Sequence, residues 1–331
     1  MVISRTPFRI SFFGGGTDYP VWYEKHGGAV IATSINKYCY VTCRYLPPFF
    51  PYNYRIRYTK QEYRKKIGQI KHPAVRACLE YLNFERGIEM QHNADLPAMA
   101  GLGSSSAFTV GLLHSLNVLT GRTVVLKKLA QDAIYVEQKM IREAVGSQDQ
   151  TIAAYGGFRR INFRGRGEIS VNPITINGQN LKELEGNLML FYTGISRFAS
   201  YLAKTQIKAT PYKANELRAM FSLVDSAQKI LTSKKSLDDF GRLLDESWKI
   251  KRTLTRKITN SIIDEIYKKA IKAGALGGKL LGAGGGGFML FYVKQEDQPK
   301  VHDALKKLLY VPFKFEKLGS QIIYKMPNDK F

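Results

Sequence analysis

The sequence predicts a mixed fold in which strands dominate the first half of the chain and helices most of the second. Three observations carry this expectation. Residues 3–13, 29–46 and 88–95 alternate at strand spacing, with Val, Ile, Thr and Tyr prominent in them. Residues 126–143, 213–232, 236–254, 260–273 and 299–309 repeat their apolar positions at helical spacing. Glycine-rich turns punctuate the boundaries between these segments. A chain of 331 residues buries about 75% of its unfolded surface, enough core for one large or two medium domains. A hydrophobic content of 44% with 12% aromatics, and no low-complexity tract, describes an ordinary globular protein and excludes disorder.

Taken in order, the first strand (3–13) runs into Gly14-Gly15-Gly16-Thr17-Asp18-Tyr19-Pro20, a tight turn at a strand end, where polar side chains commonly project into a site. The run AVIATSINKYCYVTCRYL (29–46) is the second strand. Residues 47–71, rich in Pro, Tyr and Arg, read as a loop or edge hairpin, and Pro73 to Asn83 as a short helix. The strand IEMQHNAD (88–95) leads into Leu96 to Phe108, a small-residue turn that enters an apolar helix ending near Leu119. In that turn Gly101 and Gly103 can take positive φ, and Ser104, Ser105 and Ser106 stand where a helix needs an N-cap. Unpaired amides backed by the helix dipole bind phosphate without a basic side chain. A plain turn before a helix is the alternative reading.

The helix expected over 126–143 has one apolar stripe, interrupted by Glu137. That carboxylate either sits at the edge of the stripe in water or points into a polar site, and its spacing favours the edge. Gly146 ends the helix, and Asp149 is presented in a Gly/Ser-flanked turn. GFRRINFRGRGEISV reads as a basic hairpin, and LMLFYTG as a strand following a composition change near Glu185-Gly186, where the domain boundary is placed. After the late helices, KLLGAGGGGF (279–288) holds five glycines in six residues ahead of the strand MLFYV. Such a run costs backbone entropy and implies a surface where backbone touches something closely. Strands at about 313–317 and 320–325 close the chain.

Composition narrows the function classes. The chain has 50 Lys and Arg against 27 acidic residues, a formal charge of +23, which favours anionic partners. Its three cysteines are explained by packing, consistent with a reducing compartment. No 18-residue apolar run and no signal-peptide pattern occur, so a soluble, cytoplasmic protein is expected. The G-x-G-x-x-G at Gly282, Gly284 and Gly287 precedes a strand where a dinucleotide fingerprint must open a helix, and is set aside. Asp239-Phe240-Gly241 lies in a helical pattern without a kinase catalytic loop, and no Walker sequence is present. The five histidines show no ligand spacing. Nucleic-acid binding is the rival that charge leaves open, since Tyr52 to Tyr58 interleaves aromatics with arginine. Three glycine-rich stretches, however, serve no evident RNA contact.

Those stretches, PFRISFFGGGTDYP, LPAMAGLGSSSAF and KLLGAGGGGF, with a Glu and an Asp between the second and third, together resemble the GHMP kinase superfamily of galactokinases and homoserine, mevalonate and phosphomevalonate kinases. The resemblance covers nearly the whole chain. It implies an α+β fold of two domains, a ribosomal protein S5 domain 2-like part over 1–185 and a ferredoxin-like part over 186–331, with the active site in the cleft between them. It implies that Gly101, Leu102, Gly103, Ser104, Ser105 and Ser106, with Gly284 and Gly285, hold ATP, and that Ser105 and Glu137 hold Mg²⁺. It assigns Asp149 and Arg9 to catalysis and Gly15, Gly16, Thr17 and Asp18 to the sugar. Galactokinases carry Gly-Glu-His-Thr-Asp-Tyr where this chain has Gly14-Gly15-Gly16-Thr17-Asp18-Tyr19. The glycine-only form is similar to the heptose-phosphate kinases and, more distantly, the fucokinases. The expected reaction is therefore phosphorylation of the anomeric hydroxyl of a heptose 7-phosphate, in the supply of nucleotide-activated heptose for surface polysaccharide, with a kinase for another sugar, fucose or a hexose derivative, as the alternative. Arg159, Arg160 and Arg197 are candidates for its distal phosphate. No nucleic-acid or membrane partner is expected, and the protein is expected as a monomer or homodimer.

Overall fold

The computed structural model describes residues 1–195, 199–233 and 236–326. The strands are β1 (Val2–Phe13), β2 (Gly28–Tyr45), β3 (Tyr54–Arg57), β4 (Gln61–Arg64), β5 (Ile88–Ala94), β6 (Phe158–Phe163), β7 (Ile169–Pro173), β8 (Leu188–Tyr192), β9 (Gly277–Leu280), β10 (Phe288–Tyr292), β11 (Leu309–Tyr310), β12 (Phe315–Glu316) and β13 (Gln321–Lys325). The helices are α1 (Pro20–His26), α2 (Pro73–Tyr81), α3 (Ser104–Leu119), α4 (Leu126–Tyr135), α5 (Gln148–Tyr155), α6 (Gly178–Gly186), α7 (Ala199–Ala209), α8 (Ala214–Thr232), α9 (Asp238–Leu254), α10 (Ser261–Lys272) and α11 (Gln298–Ala304).

Among the described residues the strands form two sheets, one of nine strands around β1 and β2 and one of four in the order β11-β8-β10-β9. β1 alternates in sequence, yet from Thr6 to Phe13 every residue is buried, because both faces of the strand are covered. On one face α3 lies so close that a Cβ at Gly111 would meet the Thr6 hydroxyl at 2.8 Å. On the other, Phe12 meets Phe240 of α9 edge-on with ring centroids 5.3 Å apart. The small sheet buries Phe291 and Met289 against Trp248, Ile263 and Tyr267 of α9 and α10.

The end of the chain returns to the first sheet. β13 pairs antiparallel with β1, Arg5 opposite Gln321, and β12 pairs with β2. The boundary expected at Glu185-Gly186 falls at the end of α6, and β12 and β13 cross it to complete the other part. Several local expectations are corrected. The helix over 126–143 stops at Tyr135 and gives way to a π-helical turn, Val136–Met140, closed by Ile141 N–H donating to Val136 O at 2.9 Å. Asp149 lies in the first turn of a helix, α5, not in a plain turn. That helix has a polar start and buried residues on several sides, so it shows no amphipathic stripe. The expected helix 299–309 ends at Ala304, and Leu309 belongs to β11. α1, α6, α7 and β9 lie where the sequence predicts neither helix nor strand.

Candidate active site

Arg9 on β1 is the hub. Its backbone N–H donates to Leu102 O at 3.1 Å and its Nη1 to Gly101 O at 2.7 Å. Its Nε and Nη2 donate to the two carboxylate oxygens of Asp149 at 2.8 and 2.7 Å. This forked, charge-assisted pair fixes the rotation of the carboxylate as well as its position. Placement in the first turn of α5 adds the favourable end of a helix dipole. The Arg9 side chain is 5% exposed and Asp149 25%, so the acid keeps an accessible side.

The turn before α3 owes its path to glycine. Gly101 and Gly103 have φ of +87° and +76°, and Gly103 is the N-cap in a left-handed conformation. A Cβ at Gly103 would meet Arg9 Cγ and an Asp149 oxygen at 3.3 Å, so both φ and space select glycine. No side chain caps α3 among the described residues, and Ala107 N–H donates to Gly103 O at 2.9 Å to start the helix. The helix therefore opens at Ser104 to Ser106 with no side-chain cap, an arrangement that suits an anion. The third glycine stretch backs this turn: a Cβ at Gly282 would meet Gly101 Cα at 2.6 Å, and one at Gly287 would strike Ala100 O. Gly284 and Gly285 instead abut Ile258, whose carbonyl takes the Gly285 N–H at 2.7 Å.

Successive serines on a helix point about 100° apart, and here that decides which one meets the acid. Ser105 is exposed, whereas Ser106 is buried and donates to Glu137 Oε2 at 2.9 Å. Ser106, not Ser105, is thus brought to Glu137. Glu137 is fully buried, which overturns its placement at a water-facing edge; the π-helical turn rotates it inward. Gln150 Nε2 also donates to Glu137 Oε2, while Oε1 has no partner. Burial pushes the Glu137 pKa up to about 7. The sequence assigned Ser106 to ATP but not to Glu137, and gave no role to Gln150, although Gln150 directly follows Asp149.

The first glycine turn faces the same region. Asp18 is 3% exposed and its Oδ1 accepts the Gly16 N–H at 2.9 Å. Burial raises its pKa, and nearby Asp149 adds to the effect. Gly146 lies against the Asp18 carboxylate so closely that no Cβ fits. Thr17 turns inward: its hydroxyl lies 2.8 Å from Gly14 O and accepts the Ala29 N–H at 3.2 Å, so it holds the turn. A Cβ at Gly15 would make only ordinary contacts, with Ser11 Oγ at 3.8 Å and Gln148 Nε2 at 3.9 Å. Beneath this turn, fully buried Lys279 of β9 donates to Ser11 O and Phe12 O at 2.9 and 2.6 Å, joining the two sheets. Burial, helped by Lys251 and Arg9, holds its pKa well below the lysine range.

Arg160 pairs with Asp225 of α8 at 2.7 Å and Arg159 donates to Gly156 O at 2.8 Å; Arg197 lies outside the described residues. A polar hollow of about 380 Å³ opens between the β3–β4 turn and β5, and includes His92, whose ring packs against Phe108 of α3 at 4.9 Å.

Residues 69–157 match the GHMP kinases N terminal domain and residues 226–311 the GHMP kinases C terminal region, and the chain belongs to the GHMP kinase family of ATP-dependent kinases. It is 29% identical over 318 residues to the D-glycero-alpha-D-manno-heptose 7-phosphate kinase of Campylobacter jejuni, spanning 92% of this chain and 93% of that one. It is 25% identical over 335 residues to a mevalonate kinase of Thermococcus sibiricus, spanning 92% of each. In fold it is similar to a D-glycero-D-manno-heptose 1-phosphate kinase from Bacteroides thetaiotaomicron, with a TM-score of 0.79, 23% identity and coverage of 98% and 99%. The galactokinase of Lactococcus lactis gives a TM-score of 0.76 at 17% identity, covering 97% and 94%. The α+β two-part kinase fold expected from the glycine stretches is therefore the observed one. Among the described residues no helix is long and apolar enough to cross a membrane.

Proposed function

We propose that this kinase transfers the γ-phosphoryl group of ATP to the anomeric hydroxyl of D-glycero-D-manno-heptose 7-phosphate, giving the 1,7-bisphosphate for a nucleotide-activated heptose of surface polysaccharide. The reaction would run in the cytoplasm, in a monomer or homodimer built of an N-terminal part, 1–185, and a C-terminal part, 186–331. The observation that carries the reading is the Arg9–Asp149 pair, bonded at 2.7 Å and tied by the same guanidinium to Gly101 O in the turn before α3. A carboxylate at that spot can take the proton of an acceptor hydroxyl while the amides of Ser104 to Ser106 hold phosphate. The 29% identity to a heptose 7-phosphate kinase supports the choice of acceptor.

In this reading the hydroxyl proton passes to an Asp149 carboxylate oxygen, the sugar oxygen bonds to the γ-phosphorus, and ADP leaves. Arg9 holds the Asp149 carboxylate aligned through its two hydrogen bonds. Asp18, Gly15 and Gly16 would seat the sugar, with Thr17 holding their turn. Ser106 and Glu137 fit a Mg²⁺ site, because the buried Glu137 Oε1 lacks any donor and a cation would complete it. Mg²⁺ carries few protein ligands when phosphates and water supply the rest, and once bound it neutralises charge developing on the phosphates.

The test is ADP release against a panel of heptose 7-phosphate, unphosphorylated heptose, heptose 1-phosphate, fucose, galactose and mevalonate. Heptose 7-phosphate should give the highest kcat/KM, and removal of its phosphate should raise KM strongly. Equal efficiency on unphosphorylated heptose or galactose would overturn the acceptor. Turnover of heptose 1-phosphate, whose anomeric oxygen is blocked, would move the transfer to another hydroxyl.

A further inference from the structure

We infer that Gln150 is a positioning residue for the divalent cation, a role that rests on the assignment of Glu137 to that ion. Gln148, Asp149 and Gln150 form the first turn of α5 and reach three different groups. Gln148 accepts the Ser11 hydroxyl on β1 at 2.7 Å, Asp149 takes the Arg9 fork, and Gln150 donates to Glu137. One helical turn therefore links the acceptor side of the site to the carboxylate on the π-helical turn.

Gln150 and Glu137 each have no exposed surface. Glu137 Oε2 takes the Ser106 hydroxyl and the Gln150 amide, and the nearby Thr109 hydroxyl also favours the ionised carboxylate. Glu137 Oε1 and Gln150 Oε1 are both left without a donor. Two adjacent side chains that each bury an unpaired acceptor are a costly arrangement, rare in native interiors. The amide cannot relieve it by turning over, because its oxygen would then face the carboxylate. A hydrated divalent cation relieves both: Glu137 Oε1 binds the ion, and Gln150 Oε1 accepts from one of its waters. With its N–H on Oε2, Gln150 also fixes the rotation that keeps Oε1 available.

The test measures cation affinity without turnover. Mn²⁺ is titrated into the full chain with a non-hydrolysable ATP analogue and followed by electron paramagnetic resonance, for wild type, Gln150→Met and Glu137→Gln, with folding checked by circular dichroism. Gln150→Met, close in length but without donor or acceptor, should weaken Mn²⁺ binding about 10- to 100-fold, the usual effect of losing a group that orients a ligand. Its KM for the sugar phosphate should stay within threefold of wild type. Gln150→Asn keeps the amide but is one methylene too short to reach Oε2, so it should weaken Mn²⁺ too, and it serves if the Met variant fails to fold. If Glu137→Gln loses Mn²⁺ while both Gln150 variants bind within threefold of wild type, the inference fails and the Glu137 assignment stands. If all three variants bind like wild type, the assignment fails and takes the inference with it.

Discussion

A carboxylate with no exposed surface costs free energy when ionised unless a cation compensates it, and Glu137 is in that position, its pKa pushed from 4.5 to about 7 by burial. Because the folded pKa is raised, the group's stabilising contribution is full below the unfolded value and is lost as pH rises through about 7. At 1.36 kcal/mol per unit the loss is about 3 kcal/mol. Cation-free Glu137→Gln protein should therefore resist denaturant better than wild type at pH 8, by about that amount, with the gap closing below pH 4.5. Equal stability at pH 8 would mean that the folded chain already compensates the charge. Asp149 is different, being partly open and held by Arg9. Asp149→Asn should lower kcat by about 10²- to 10⁴-fold with ATP binding nearly intact. A folded, ATP-binding variant within about threefold of wild type would remove it from the mechanism.

Between the first and third glycine stretches, the available space separates two roles. Gly282 packs backbone to backbone on Gly101, with φ of +74° and a Cβ contact of 2.6 Å that no rotamer can relieve. Gly282→Ala should destabilise the fold by about 1–3 kcal/mol, and should raise the KM for ATP more than that for the sugar. Gly15 has an ordinary φ and room for a Cβ at ordinary contact distances, so Gly15→Ala should change stability by less than about 0.5 kcal/mol. Its KM for the sugar phosphate should rise while that for ATP stays unchanged. Steady-state kinetics with each substrate varied in turn checks both, and the reverse pattern would exchange the roles of the two turns.

Across the whole molecule the charge of +23 surrounds a site proposed to take two phosphorylated substrates. Such a field speeds encounter with anions and is screened by salt. Raising ionic strength from about 0.05 to 0.5 M, which shortens the screening length several-fold, should lower kcat/KM for the heptose phosphate several-fold. The same change should barely move kcat, or the kcat/KM of an unphosphorylated sugar. A salt-independent kcat/KM would mean that the basic surface is only solvated. The same scale contains the seam between the sheets, where Lys279 of β9 holds the carbonyls that precede the first glycine turn.

The sequence by itself determined the elements whose signals are local: the alternation of β1, β2 and β5, the basic hairpin of β6 and β7, and three glycine-rich turns whose φ values are positive at Gly14, Gly101, Gly103 and Gly282. It also placed Arg9, Asp149 and Glu137 in one chemistry through their resemblance to a kinase family. Only the tertiary structure decided that Ser106 meets Glu137, because adjacent helical residues diverge and packing against the core selects the inward one. It alone turned Glu137 inward, through a π-helical turn that helical periodicity does not signal. The fork between Arg9 and Asp149 spans 140 positions, and β13 closes the first sheet from the far end of the chain. Such contacts depend on which surfaces come to face each other once the sheets have packed, and no local pattern of residues records that.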